Sequence, residues 1–167
     1  MSTPDRYAHC TFCGARFTLG QPWPRRCGAC GETSYLNPSP VAVAVQPVGA
    51  GLLAVRRGIA PARGRLALPG GFIDVGETWQ EAAVRELSEE TGVKADPAAV
   101  RLFDTVSAPD GTILVFGLLP PLPSTAALPP PPPDDAETLA REVLYGPTEL
   151  GFSIHTTIAT RWFTTHQ

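Results

Sequence analysis

The chain has little charge and no sign of charge in excess: 17% of its 167 residues are charged and the net charge is −3. Without a basic footprint it lacks the surface of a dedicated nucleic-acid binder. No apolar run reaches the roughly 18 residues that a membrane span needs. The N-terminal stretch from Met1 to Cys10 has no apolar core of an export signal. Internal repeats are absent beyond two matching cysteine pairs. We therefore expect a soluble, cytoplasmic protein. Apolar residues make up 43% of the chain, enough to bury a core, and the length suits one domain with a small appendage.

Proline is plentiful, with 19 residues, and much of it lies in residues 119–135. Proline has no amide donor and a fixed φ, so this segment can neither pair in a sheet nor continue a helix. The expectation is a polyproline II or mobile surface loop, an insertion rather than a ligand for a proline-reading partner.

All four cysteines, Cys10, Cys13, Cys27 and Cys30, fall within the first thirty residues as two Cys-x-x-Cys-Gly knuckles. Two residues between thiols let both sulfurs reach one ion, and the glycine permits the turn behind them. Four thiolates suit tetrahedral Zn2+. Two disulfides or a redox pair are the alternatives; the first fits a chain without an export signal less well, and the second fits two copies with paired glycines poorly. His9 adjoins Cys10 and is a substitute ligand or a surface residue. The residues between the knuckles are expected to form a short hairpin. A ribbon so poor in apolar residues would draw its folding energy from the metal. The spacing is compatible with a nucleic-acid module, a dimer contact or a structural prop.

A helix is predicted over 78–91. Thr78 and Glu81 form a capping box, Trp79, Ala83 and Leu87 recur at four-residue spacing as an apolar stripe, and Gly92 suits a left-handed stop. Glu86, Glu89 and Glu90 then share one side of the helix. Arg85 pairs with Glu89 in this reading, which leaves Glu86 and Glu90 as uncompensated neighbours. Such carboxylates are hard ligands for Mg2+ or Mn2+. Alone, a glutamate-rich helix is more often a solvated face.

The spacing of Gly71, Glu77, Arg85, Glu86, Leu87, Glu89, Glu90, Gly92 and Val93 resembles the Nudix box, G-x5-E-x7-R-E-U-x-E-E-x-G-U, in which U is a large aliphatic residue. The resemblance implies an α/β fold, a Nudix-type α/β/α sandwich with a mixed sheet, here preceded by a small N-terminal zinc ribbon. The expected domains are 1–36 for the ribbon and 37–167 for the hydrolase. It implies a metal-dependent pyrophosphohydrolase that cleaves a nucleoside diphosphate linked to another moiety. Glu86 and Glu90 match the main metal ligands, and the carbonyl of Gly70 a further one. Glu89 matches a position that binds metal or orients water, Arg85 the residue that holds the glutamates, and Glu77 a peripheral glutamate. One more metal glutamate is expected downstream, with Glu137 and Glu142 as candidates.

The ribbon followed by the apolar stretch after Tyr35 resembles the zinc-ribbon group of the family, which includes NADH, ADP-ribose and FAD pyrophosphatases. That resemblance places Tyr35 and Ala159 at nucleotide-contacting positions and implies a homodimer. The group's S-Q-P-W-like motif after the box is missing; the similar Gln21-Pro22-Trp23-Pro24 lies between the knuckles. The alternatives are a nucleotide-binding regulator on the same fold and a triphosphatase that sanitises dNTPs.

Elsewhere, strands are predicted before and after the turn at residues 49–51, on both sides of Pro109-Asp110-Gly111 and in a short stretch at 142–146. Arg56 and Arg57 end a strand and either clamp a phosphate or are solvated. Ser153 is expected to cap a last helix with Ile154, Ile158 and Trp162 on its core face.

Overall fold

The computed structural model describes residues 7–132 and 137–166. The chain divides into two compact units, Met1–Pro38 and Ser39–Gln167.

In the first unit, β1 (Arg25–Arg26) pairs antiparallel with β2 (Thr33–Ser34) across the second knuckle. The first knuckle is closed in the same way by a bridge between His9 and Arg16. The expected hairpin between the knuckles is therefore replaced by one hairpin around each. The knuckle is itself a tight turn: Gly14 N–H donates to Cys10 O and Gly31 N–H to Cys27 O, so the flanking residues are already antiparallel. The core here is small, with Cys10, Phe17 and Cys27 buried and Ala15 and Trp23 packed against them.

The second unit runs β3 (Ser39–Val45), β4 (Pro47–Val48), β5 (Gly51–Arg57), β6 (Leu66–Ala67), β7 (Gly70–Phe72), α1 (Trp79–Thr91), β8 (Arg101–Ser107), β9 (Thr112–Leu118), β10 (Thr138–Leu144) and α2 (Ser153–Thr165). One four-stranded sheet has the order β7-β3-β9-β8; its β3–β9 pair is parallel and its other pairs antiparallel. The other sheet centres on β5, which pairs antiparallel with β10, β4 and β6. Successive strand residues face opposite sides, and two cores follow. Val43, Val45, Leu52 and Ala54 pack with Ile158, Ala159, Trp162 and Phe163 of α2. Ala44 and Leu53, between them in sequence, pack instead with Leu87 of α1, Val93 and Val100. The result is the α/β sandwich expected, with a helix on each side of mixed sheets.

Helix α1 has the predicted caps. Thr78 Oγ1 accepts from Glu81 N–H, Glu81 accepts from Thr78 N–H, and Gly92 stops the helix at φ 77°. Helix α2 differs from expectation. Phe152 is its N-cap and makes no side-chain cap, and Ser153 is already helical. Thr156 Oγ1 does the local work instead, accepting from Leu150 N–H at 2.9 Å.

Strand β10 is longer than the stretch predicted, because its first half finds its partners only in β5: Thr138 opposite Arg57 and Ala140 opposite Arg56. The proline-rich segment also departs from a mobile loop over its described part, 119–132. Leu119 is buried and Leu122 and Leu128 pack against the α1-side core, and Thr125–Ala127 forms a 3-10 turn. The leucines anchor it, together with the carbonyls of Pro120 and Pro129, which accept from Gln46 and Arg141. Its residues 133–135 lie outside the described ones.

Candidate active site

The cleft of the second unit, about 500 Å³, is lined by the charged residues Glu86, Glu90, Arg85, Glu137 and Arg57, by Asp110 and Thr112, and by apolar residues such as Val43, Leu68, Leu114 and Phe152 together with His155. Helix α1 supplies the acid pair, and the β7 turn lies over it. A side chain at residue 71 would push the Glu86 carboxylate aside: a Cβ on Gly71 would stand 2.3 Å from Glu86 Oε1. The glycine lets the carboxylate lie against the backbone.

Arg85 organises the acids. Its Nε and Nη2 donate to the two oxygens of Glu77 at 2.8 and 3.0 Å, and its Nη1 donates to Glu86 Oε1 at 2.7 Å and Glu89 Oε2 at 3.2 Å. Nη2 also reaches Phe72 O at 3.0 Å. The five-donor fork thus ties the helix to the loop before it. Pairing with Glu89 alone, as the spacing suggested, understates its reach: Glu86 is also held, and only Glu90 of the acid pair has no direct cation contact. The fork holds Glu77 below the ordinary carboxylate range and raises Arg85 in turn.

The acids differ in environment. The Glu86 side chain is 16% exposed and that of Glu89 58%. Burial pushes Glu86 up, against the pull of Arg85. Glu90 rises to about 8, chiefly through burial and further through the charge of Glu86, although Gly70 N–H donates to its Oε2 at 3.1 Å. Two desolvated, adjacent carboxylates beneath a glycine turn fit a divalent cation, which would favour their charged forms. Glu86 and Glu90 would hold it, with the Gly70 carbonyl beside them.

The two downstream glutamates separate. Glu137 lines the cleft, and its charge helps raise Glu86 and Glu90. Glu142 is paired with Arg56, whose Nε and Nη2 both reach its Oε1, at 3.0 and 2.5 Å. The same alternation along β5 separates the arginines, so that Arg57 lines the cleft and Arg56 does not. Ala159 is fully buried in the α2-side core. Tyr35 is exposed in the first unit. Sequence reasoning passed over His155 and Phe152. A histidine among the apolar residues of a helix reads as core until its hydrogen-bond partner, the amide of Leu68, is known.

In the first unit the four cysteine sulfurs lie within 4.8 Å of one another. Sulfurs about 2.3 Å from one tetrahedral ion would be about 3.8 Å apart. Cys10 and Cys30 are 3.8 Å apart and Cys13 and Cys27 3.7 Å, so the cluster fits a zinc ribbon. The amides of Cys13 and Phe12 bring the Cys10 thiol down to about 6, and those of Cys30 and Ala29 lower Cys27. His9 lies outside the cluster. A separate hollow of about 640 Å³ in this unit is lined by residues such as Arg16, Leu19 and Arg26 and contains no acid pair.

The cleft therefore defines a class: an acid-lined pocket on a capped helix under a glycine turn, set in an α/β sandwich. Residues 37–163 match the NUDIX domain, and the chain belongs to the Nudix family. It is 40% identical over 76 residues to an ADP-ribose pyrophosphatase of Methanocaldococcus jannaschii, a match covering 46% of this chain and 44% of that one. It is 65% identical over 37 residues to an RNA pyrophosphohydrolase of Erythrobacter litoralis, covering 22% and 23%. The chain spans less than half the length of these curated relatives. The crystal structure of a Nudix hydrolase from Nitrosomonas europaea superposes with a TM-score of 0.69 at 24% identity, over 93% of this chain and 90% of that one, a likeness of fold. Among the described residues, no helix is long and apolar enough to cross a membrane.

Proposed function

We propose that the protein hydrolyses a phosphoanhydride bond in a nucleoside diphosphate linked to a second moiety, with ADP-ribose, FAD and NAD(H) as the substrate class. The observation that carries this reading is the desolvated pair Glu86 and Glu90 under Gly71, in a cleft large enough for a nucleotide. The 76-residue likeness to an ADP-ribose pyrophosphatase supports the substrate class.

In this reading Glu86, Glu90, the Gly70 carbonyl and Glu137 hold Mg2+ or Mn2+, which neutralises phosphate charge and acidifies a bound water. Arg85 keeps Glu86 oriented and, with Glu77, holds the loop closed over it. Glu89, the most solvated of the helix acids in the Arg85 cluster, is placed to exchange a proton with solvent. Arg57, which lines the same cleft, is the cation available to a phosphate. The four cysteines hold a structural Zn2+.

The test is product identity. With magnesium, ADP-ribose, FAD or NADH should yield a mononucleotide, and Glu86→Gln with Glu90→Gln should abolish turnover. Release of pyrophosphate from dNTPs or 5′-triphosphate RNA instead would move the assignment to a triphosphatase or an RNA pyrophosphohydrolase. Binding of ADP-ribose without hydrolysis under any divalent metal would make the protein a sensor.

A further inference from the structure

Besides its charged residues and Thr112, the cleft is lined by apolar side chains and one buried histidine. His155, 6% exposed, lies on the first turn of α2 among Phe116, Phe152 and Leu68. Its ring meets Phe116 edge-on, with centroids 5.7 Å apart, and is tilted against Phe152 at 5.1 Å. The orientation is fixed by a hydrogen bond whose direction is not in doubt. Leu68 N–H, which can only donate, donates to Nδ1 at 3.2 Å. Nδ1 is therefore the unprotonated nitrogen, and in the neutral ring the proton sits on Nε2.

That Nε2–H has no hydrogen-bond partner among the described residues, yet it is not sealed away. The sealed, unpartnered side-chain polar atoms among the described residues are Thr138 Oγ1 and Trp162 Nε1. His155 lines the cleft, so its free donor opens there. A deeply buried side chain with one nitrogen satisfied and the other offered to a cavity is a built binding position. The neighbouring cation does not take that role: Arg57 is over the Phe152 ring at 5.1 Å, with its Nε donating to Pro61 O.

We propose that His155 is a specificity residue that donates from Nε2–H to an uncharged acceptor, a ring nitrogen or carbonyl oxygen, on a heterocycle seated between the apolar walls of the cleft. The inference deepens the proposed function and rests on it. The rings of Phe116 and Phe152 against His155 favour a flat, uncharged group there over a phosphate. Val41, Val43, Leu68, Leu114 and Ile154 provide apolar surface and no counter-charge. Burial, with the charge of Arg57, lowers His155 to about 4, so at neutral pH it stays a neutral donor and not a phosphate-pairing cation. A site built to donate one hydrogen bond discriminates against a ligand without the acceptor far more sharply than apolar contact does.

The test separates this inference from the function itself. Imidazole 15N resonances of the metal-free protein should report a proton on Nε2 and none on Nδ1. Saturating adenosine, guanosine or uridine should shift the Nε2–H signal for at least one nucleoside, whereas inorganic phosphate should not. His155→Asn keeps an acceptor for Leu68 N–H but withdraws the donor from the cleft. It should raise KM roughly ten- to a hundredfold with kcat little changed, the size of one hydrogen bond left unmade in a dry site. An Nε2 signal moved by phosphate alone, or by no nucleoside, overturns the proposal, as does an unchanged KM in His155→Asn. If the wild type turns over none of ADP-ribose, FAD and NADH, the proposed function falls and takes the enzymatic role of His155 with it. Turnover with an indifferent His155 removes this inference alone.

Discussion

Glu90 carries the sharpest electrostatic tension in the molecule. Its folded-state value of about 8 lies above the ordinary 4.5 because it is buried and has no direct cation contact. The folded protein therefore binds a proton there more tightly than the unfolded chain does. That contribution to stability is full below about pH 4.5 and is lost as pH rises through about 8. Metal-free protein in EDTA should accordingly melt at a lower temperature at pH 8 than at pH 6, and Glu90→Gln should flatten that difference. Added Mg2+ should also flatten it, by favouring the carboxylate. A Glu90→Gln protein with the wild-type pH slope would show that the burial of this carboxyl is not felt in solution. Arg85 offers a second test at this scale. Arg85→Lys keeps the charge but not the fork that grips both oxygens of Glu77 and one of Glu86. Its kcat should fall by about tenfold or more, with KM less affected.

At the scale of elements, the glycines on both sides of α1 have different duties. Gly71→Ala would bring a methyl group to 2.3 Å from Glu86 Oε1 and displace that carboxylate. A misplacement of this size should cost roughly a hundredfold in kcat, while the thermal midpoint moves by only a few degrees. Gly92→Ala should do the reverse. Its φ is 77° and the new Cβ would meet Pro130 O at 2.9 Å. The expected loss is about 1–2 kcal/mol in urea unfolding, with kcat nearly kept. Helix α1 was legible in the sequence because its caps, stripe and stop are all local signals. So was the grouping of Glu86 and Glu90. The extent of β10 was not legible, because Thr138 and Ala140 are strand residues only by virtue of β5. The separation of Glu137 from Glu142 was hidden for the same reason: Glu142 lies within β10 and pairs with Arg56, while Glu137 precedes the strand and accepts from Gly58 N–H through its carbonyl, and both contacts depend on the pairing with β5. His155 stayed invisible because its meaning depends on an amide 87 residues away.

For the whole molecule, the two units have unequal means of staying folded. The Ser39–Gln167 unit has two cores that join strands and helices. Among the described residues, the first unit buries the cluster of Cys10, Phe17 and Cys27, with Ser34 beside it, too small a core to offset the entropy of ordering a segment of its size. The protein should contain about one zinc ion per chain by elemental analysis. A strong zinc chelator should open the first unit to protease while leaving the second resistant. Equal resistance with and without the chelator would mean that the cysteines do not sustain the fold of that unit.

Strand β3 contributes no ionisable group to the cleft, yet every distance there is measured from it. Its register sets Val43 opposite Gly70 and Ala42 opposite Gly71 on one edge, and Val43 beside Phe116 on the other. Its alternation sends Val43 to the α2 side and Ala44 to the α1 side. Exchanging Val41 for another aliphatic residue of like volume would alter the wall of the cleft and leave the register in place. Removing a single residue from β3 would exchange the two faces and draw the glycine turn about 3.3 Å along the strand, away from the carboxylate it shelters. The strand acts as a ruler, tolerant of what is written on it and intolerant of any change in its length.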